Sequence, residues 1–228
     1  MKNIIILGAG GLGKEIAWLI EEINETKIEW EILGFLDSHP SVVNMELLGY
    51  KVLGPFEDAH KYPDAYFIIA FGDPRMRENV IQLVSQFDVK WATLISPTVR
   101  VHKSNKLGIG VVIGRNTDLT VECTIGNHVM LNIHVVLGHK VEIGDFSIIS
   151  PNVLLNGDAK IGKCCSIGAN AFVRDVVIGD YVTVGASSCV IKPVESDCVV
   201  AGVPAVVIRK GAPVHSVTKS LRKTTEND

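Results

Sequence analysis

Aliphatic residues recur every six positions through the second half of the chain: Ile95, Val101, Leu107, Ile113, Leu119, Ile125, Leu131, Leu137, Ile143, Ile149, Leu155, Ile161, Ile167 and Val173. Glycine commonly follows, as in Ile113-Gly114, Ile125-Gly126, Ile143-Gly144, Ile161-Gly162 and Ile167-Gly168. The step drops to five once, at Ile178-Gly179, and six resumes at Val184-Gly185 and Val190. An amphipathic helix shows spacings of three and four, and a half-buried strand a spacing of two. A spacing of six fits a chain that turns one aliphatic side chain inward and then rounds a corner on Gly, Asn or Asp. Three such sides close a coil, so residues about 18 apart stack at the inter-strand distance of about 4.8 Å. The pattern predicts a left-handed parallel β-helix of about five coils over residues 95–208.

The first half has a different rhythm. Ile4-Ile5-Ile6-Leu7 reads as a buried strand, Gly8-Ala9-Gly10-Gly11-Leu12-Gly13 as a tight turn, and the next stretch as an amphipathic helix to about Ile23. Further strands are expected at Ile32–Leu36, ending on Asp37, and at Tyr66–Ala70, ending on Phe71-Gly72-Asp73. A second helix is expected from Pro74 to Phe87. This is a Rossmann-like βαβ unit with a GxGxxG turn, which places a phosphate on the amides of a helix N-terminus. Its plainer reading is a tight strand-to-helix turn. The expected division is an α/β domain over 1–90, the β-helix over 91–210 and a mobile C-terminal tail over 211–228.

Composition excludes more than it assigns. The chain of 228 residues is 47% hydrophobic and 21% charged, with a net charge of −3, so no basic surface for nucleic acid or an acidic membrane is expected. Neither a signal peptide nor an apolar run long enough for a membrane span is read, and a cytoplasmic location is expected. The five cysteines lack metal-type pairs and are expected to be reduced and structural, with Cys164 and Cys165 not serving as acyl acceptors. No metal is expected.

The GAGGLGKE opening, the GFLD and AFGD strand ends, and a hexapeptide β-helix closing on Ala201-Gly202-Val203-Pro204-Ala205 resemble the NeuD/PglD family of sugar acetyltransferases over residues 2 to about 210. The resemblance implies an acetyl-CoA-dependent enzyme acting on a nucleotide-linked amino sugar. In the N-terminal unit it implies substrate contacts at Gly8, Gly10, Gly11, Asp37, Gly72, Asp73 and Arg77. In the β-helix it implies a homotrimer with acetyl-CoA between subunits, near Ala169, Ala186, Gly202 and Pro204. Apolar residues left over after the inward positions are filled, such as Val135, Val136 and Met130, agree with a trimer.

Acetyl transfer needs a base for the acceptor and a donor for the oxyanion. Of the seven histidines, His139 matches the family's base, and Asn132 a polar position near the acetyl group. Gly157, eighteen residues after His139, is expected one coil above it, where its N–H can serve as oxyanion donor and contact the cofactor. The family usually has an acid after the base, a His where Leu12 stands, a second acid at Ser38 and a second His at Ile148; here Lys140 follows His139. Glu122 and Asp158 are expected to stack beside Lys140, and Glu142 or Glu122 is an alternative orienting acid. Direct attack on a 4-amino-4,6-dideoxy sugar is the leading expectation. O-acetylation of sialic acid, a non-catalytic trimeric scaffold and an NAD-linked oxidoreductase using Asp37 are the alternatives.

Overall fold

A computed structural model describes residues 1–211 of the chain. The tail expected to be mobile, with its His215, lies outside the described residues apart from Gly211.

The N-terminal unit consists of β1 (Lys2–Leu7), α1 (Gly11–Thr26), β2 (Trp30–Leu36), β3 (Glu46–Leu47), β4 (Tyr50–Gly54), β5 (Tyr66–Ile69), α2 (Pro74–Val84) and β6 (Lys90–Trp91). They form one sheet in the order β3-β4-β2-β1-β5-β6. β1, buried from Ile4 to Leu7, lies between β2 and β5, both parallel to it, as βαβ connections require. Helix α1 buries Ile16, Ala17, Leu19 and Ile20 on one face. Asn24 then fixes the turn into β2: its side chain accepts from the Glu29 and Trp30 amides and donates to the Trp30 carbonyl. The antiparallel β3–β4 hairpin is an element the sequence reading did not contain. Its two-residue turn uses Leu48 and Gly49, both at positive φ, where Asn-Gly would have been the legible signal.

From Leu94 onward the chain winds into a triangular parallel β-helix. One face, against which the N-terminal unit docks, stacks Val112–Ile113, Met130–Leu131, Ile148–Ile149 and Ser166–Ile167. An apolar face stacks Asp118–Leu119, Val136–Leu137, Leu154–Leu155 and Phe172–Val173. A polar face stacks Thr124–Ile125, Glu142–Ile143 and Lys160–Ile161. The chain passes from docked to apolar to polar face. It rounds a first corner (132–135 in one coil), a second (138–141) and a third (144–147).

The hexad aliphatics point inward as expected, joined by the residue two before each: Val111, Val129, Val135, Val141, Val153 and Ala159 are all fully enclosed. Val135 is therefore core and not left over, and Met130 is covered by the N-terminal unit; of the three residues offered for a trimer, Val136 alone faces outward. Val101 also departs from expectation: it lies at the open end of the prism, before the apolar face begins, and is exposed.

Glycine also acts differently from the expectation. The left-handed corner residues are mostly not glycine: His128, His134, Lys140, Phe146, Asn152, Asp158 and Cys164 all sit near φ +60°. The glycines after the strands serve the close stacking of coils. A Cβ on Gly168 would stand 2.5 Å from the Ala186 nitrogen, and one on Gly144 2.6 Å from the Lys163 nitrogen.

The two halves share a core, in which Ala92, Leu94, Val112, Met130 and Ile148 pack with Ile4, Ile6, Ile16 and Ile68. Helix α2 also lies along the third corner. Arg75 stacks over Tyr181 and pairs with Asp197, and Glu78 meets the Cys164 thiol.

Candidate active site

Parallel strands β2, β1 and β5 lie side by side, so the loops at their carboxyl ends meet. Gly8, Gly10, Gly11, Asp37, Gly72 and Asp73 come together there. Gly8 has φ +114° and lies against Ala70 and Phe71, where a Cβ would stand 3.0 Å from both. Gly13 lets α1 sit on this turn, because its Cβ would run into the Gly8 carbonyl. The first turn of α1 carries neither a side-chain cap nor an acidic residue, which leaves its amides suited to an anionic group. Both carboxylates brace this ring. Asp37 accepts the Ala9 amide (2.8 Å) through one oxygen and the His39 amide (2.8 Å) through the other. Asp73 caps α2, accepting from the Arg75 and Met76 amides. Beside Asp37, the hairpin missed in the sequence walls a cleft of about 210 Å³ with Ser38, Asn44, Leu53 and Pro55.

Arg77 is not part of this surface, and its expected substrate contact is corrected. The side chain has no exposure at all. Its guanidinium donates to the carbonyls of Ile69 (3.3 Å), Phe71 (3.1 Å) and His128 (2.7 and 3.2 Å). It thereby ties the end of β5 to the third corner of the β-helix. Burial pushes this guanidinium down to about 9, so it keeps its charge at neutral pH.

His128 stands beside it, stacked on Phe146 (5.7 Å, 2°) and edge-on to Trp91 (4.7 Å). Burial first, and then the Arg77 charge, push its imidazole down to about 4, while Asp145 pulls the other way. An unfolded chain takes up this proton near pH 6.5, whereas the folded one refuses it until about pH 4. The stability at stake is intact above pH 6.5 and is lost as the pH falls toward 4. His128→Phe, which keeps the stacking, is expected to remove about 2 kcal/mol of the stability lost between pH 7 and pH 5, read from urea unfolding at both values. Equal losses in both proteins would show that His128 does not carry this acid sensitivity.

In the β-helix the candidates divide between two corners. Asn132, Ala169 and Ala186 lie on the first corner, with Gly202 and Pro204 just beyond its last coil. His139 and Gly157 lie on the second, across the apolar face. One chain therefore does not bring Asn132 beside His139, and the Asn132 Oδ1 is taken by the Ile133 amide (2.8 Å). Between α1 and the first corner runs a cleft of about 240 Å³, lined by Leu12, Glu15, Trp18, Arg115, Asn132 and Pro151. Arg115 closes one side, 3.6 Å over the Trp18 ring and 2.9 Å from Glu22. Nothing in the hexad pattern marks this cleft, since it exists only once α1 is docked.

His139 is 60% exposed, and its ring lies flat against Gly157. A Cβ on Gly157 would stand 2.5 Å from His139 Cε1 and 2.7 Å from Nε2, so a larger residue there would push the imidazole aside. At the matching hexad places of the third corner the N–H is taken by an Asn or Asp side chain one coil on, Ile109 by Asn127, Asn127 by Asp145 and Lys163 by Asp180, whereas Val121 and His139, below Gly157 on the second corner, have no such bond among the described residues. The Gly157 N–H has no such partner among the described residues, and Asp175 above it pairs with Arg174 instead. The His139 Nδ1 faces Asp158 Oδ2 at 3.5 Å, whereas Glu142 is engaged by Lys160 at 2.8 Å. Lys140 forms no ion pair among the described residues. Cys164 and Cys165 are buried, and burial pushes both thiols up to about 12, which leaves them poor nucleophiles.

No His, Cys, Asp and Glu cluster that could hold a metal, and no helix long and apolar enough to cross a membrane, occurs among the described residues. The described residues form a hexapeptide-repeat β-helix joined to a Rossmann-like N-terminal unit. Residues 3–84 match the PglD N-terminal domain, and residues 122–157 match the bacterial transferase hexapeptide repeats. A GDP-perosamine N-acetyltransferase of Escherichia coli O157:H7 is 27% identical over 184 residues, spanning 79% of this chain and 82% of that protein. The acetyltransferase domain of PglB from Neisseria gonorrhoeae FA1090, solved with acetyl coenzyme A, superposes with a TM-score of 0.83 at 26% identity over 91% of this chain and 99% of that one. A mutant perosamine N-acetyltransferase from Caulobacter crescentus, solved with CoA and GDP-perosamine, superposes with a TM-score of 0.84 at 22% identity over 92% and 98% of the two chains. Both halves of the chain are thus similar to sugar acetyltransferases of the NeuD/PglD type.

Proposed function

We propose that the protein transfers the acetyl group of acetyl-CoA to the amine of a nucleotide-linked 4-amino-4,6-dideoxy sugar, with His139 as base. The observation that carries this reading is the pairing of His139 with the unpartnered amide of Gly157 in a chain that also holds a glycine-turn ring of loops at its first helix. The names of its relatives, which act on or were solved with GDP-perosamine and CoA, support the acceptor and donor classes.

The ring of loops holds the nucleotide: α1 amides take the diphosphate, and the cleft beside Asp37 takes the nucleoside. The apolar face supplies the reason for a trimer. Val136 and Leu154 point outward there with 38% and 40% exposure, in line with Phe172. Copies meeting through this face set the second corner of one against the first corner of the next. His139 and Gly157 then oppose Asn132, Ala169 and Ala186, and acetyl-CoA lies along this seam toward Gly202 and Pro204. Small side chains let the pantetheine arm lie close to the backbone.

In the reaction, the acceptor nitrogen forms its bond to the thioester carbon while His139 Nε2 removes a proton from it. The Gly157 N–H holds the oxyanion. Collapse breaks the carbon–sulfur bond, and the departing CoA thiolate takes the proton from the imidazolium. The test is thiol release from acetyl-CoA with UDP-, dTDP- and GDP-linked 4-amino sugars and free sialic acid as acceptors. Turnover of one nucleotide-linked amino sugar is expected. Turnover of sialic acid alone would replace the reading with O-acetylation, and acetyl-CoA binding without turnover of any acceptor would favour a scaffold.

A further inference from the structure

We propose that Asp158 is the positioning residue of His139, supplying from the next coil the carboxylate that the sequence lacks at Lys140. The proposal rests on the reading of His139 as the base.

Three features of the second corner place Asp158 in this role. Its amide donates to the His139 carbonyl at 2.8 Å, so the two backbones are locked in register. Its Oδ2 lies 3.5 Å from His139 Nδ1, an ion-pair distance on the side of the ring away from Nε2. The imidazole packs against Gly157 with its Nδ1 facing this carboxylate. The competing groups are accounted for. Glu142 is held by Lys160, the Glu122 carboxylate makes no hydrogen bond or ion pair with His139 among the described residues, and Lys140 brings only positive charge. Lys160 is drawn mainly by Glu142 and only weakly by Asp158.

A carboxylate at Nδ1 does two things. It keeps the proton on Nδ1, so Nε2 is the free lone pair, and it stabilises the imidazolium formed as the acceptor is deprotonated. In a single chain the two side chains are 60% and 59% exposed, where such a pair is weak. The seam between copies proposed above removes that water, so the contact strengthens where the reaction occurs.

The decisive variant is Asp158→Asn, because Asn tolerates the left-handed corner (φ +65°) that Asp158 occupies, and the fold is kept. Its kcat is expected to fall about 10- to 100-fold with little change in KM for either substrate, and Asp158→Glu is expected to recover part of the loss. Long-range proton–nitrogen NMR of histidine-labelled protein is expected to show a smaller share of the Nδ1–H tautomer at His139 in the Asn variant. An unchanged kcat and tautomer in Asp158→Asn, with His139→Ala inactive, overturns the positioning role alone. A loss confined to KM, or a fall in kcat with the tautomer unmoved, also overturns it, since packing alone would do either. If His139→Ala stays active, the underlying reading of the base fails, whatever Asp158 does.

Discussion

Replacing His139 by alanine is expected to lower kcat by a factor on the order of 10² to 10⁴, the usual worth of a placed general base. KM for acetyl-CoA should change little, because the ring contributes no surface to the small-residue column at Ala169 and Ala186. The fold should not notice. The side chain is 60% exposed and lies on a glycine at the surface of a completed coil, so the melting temperature should stay within a degree or so of wild type. Stopped-time thiol release at saturating acceptor reads the first quantity and calorimetry the second. A variant with more than a tenth of wild-type kcat would remove His139 from the chemistry.

The opposite split is expected at Arg77. Arg77→Ala deletes a buried side chain and strands the Ile69, Phe71 and His128 carbonyls, which now receive its N–H groups. Cavity and unpaired carbonyls together should destabilise the protein by about 3–5 kcal/mol, measured by urea unfolding. Arg77→Lys keeps the charge but has a single nitrogen at the end of its stem, and cannot reach carbonyls on both sides of the junction. It should recover less than half of the loss. A cost below about 1 kcal/mol for Arg77→Ala would mean that the junction between the halves is held by its apolar contacts alone.

How far residues alone could lead is clear from these positions. The hexad rhythm gave the β-helix because every sixth inward position repeats the same physical demand. Strands β1, β2 and β5 were legible because buried parallel strands read as unbroken apolar runs. Gly157 could be set above His139 by counting, since a coil has a fixed length. Arg77 was misread because its role depends on which half of the chain it meets. Arg77 had to be seen between β5 and His128 before it could be recognised as a tie. Asp158 was counted beside Lys140, yet its carboxylate faces His139. The β3–β4 hairpin left no pattern at all, because Leu48 occupies a turn position that sequence rules reserve for Asn or Gly.

The single five-residue step has a consequence of its own. Strand partners are 18 apart at Val136 and Leu154 but 17 apart at Phe172 and Cys189, and all three faces stay in phase across the change. The missing residue is absorbed between Val173 and Val177, in the second corner directly above Gly157 and Asp158. Corners of this solenoid are thus the places where the gene can lose or gain a codon without turning any core side chain outward. Within a two-residue strand the same deletion would invert everything after it. Length variation in such a chain is therefore channelled to its three edges, and here it has fallen on the edge that carries the candidate chemistry.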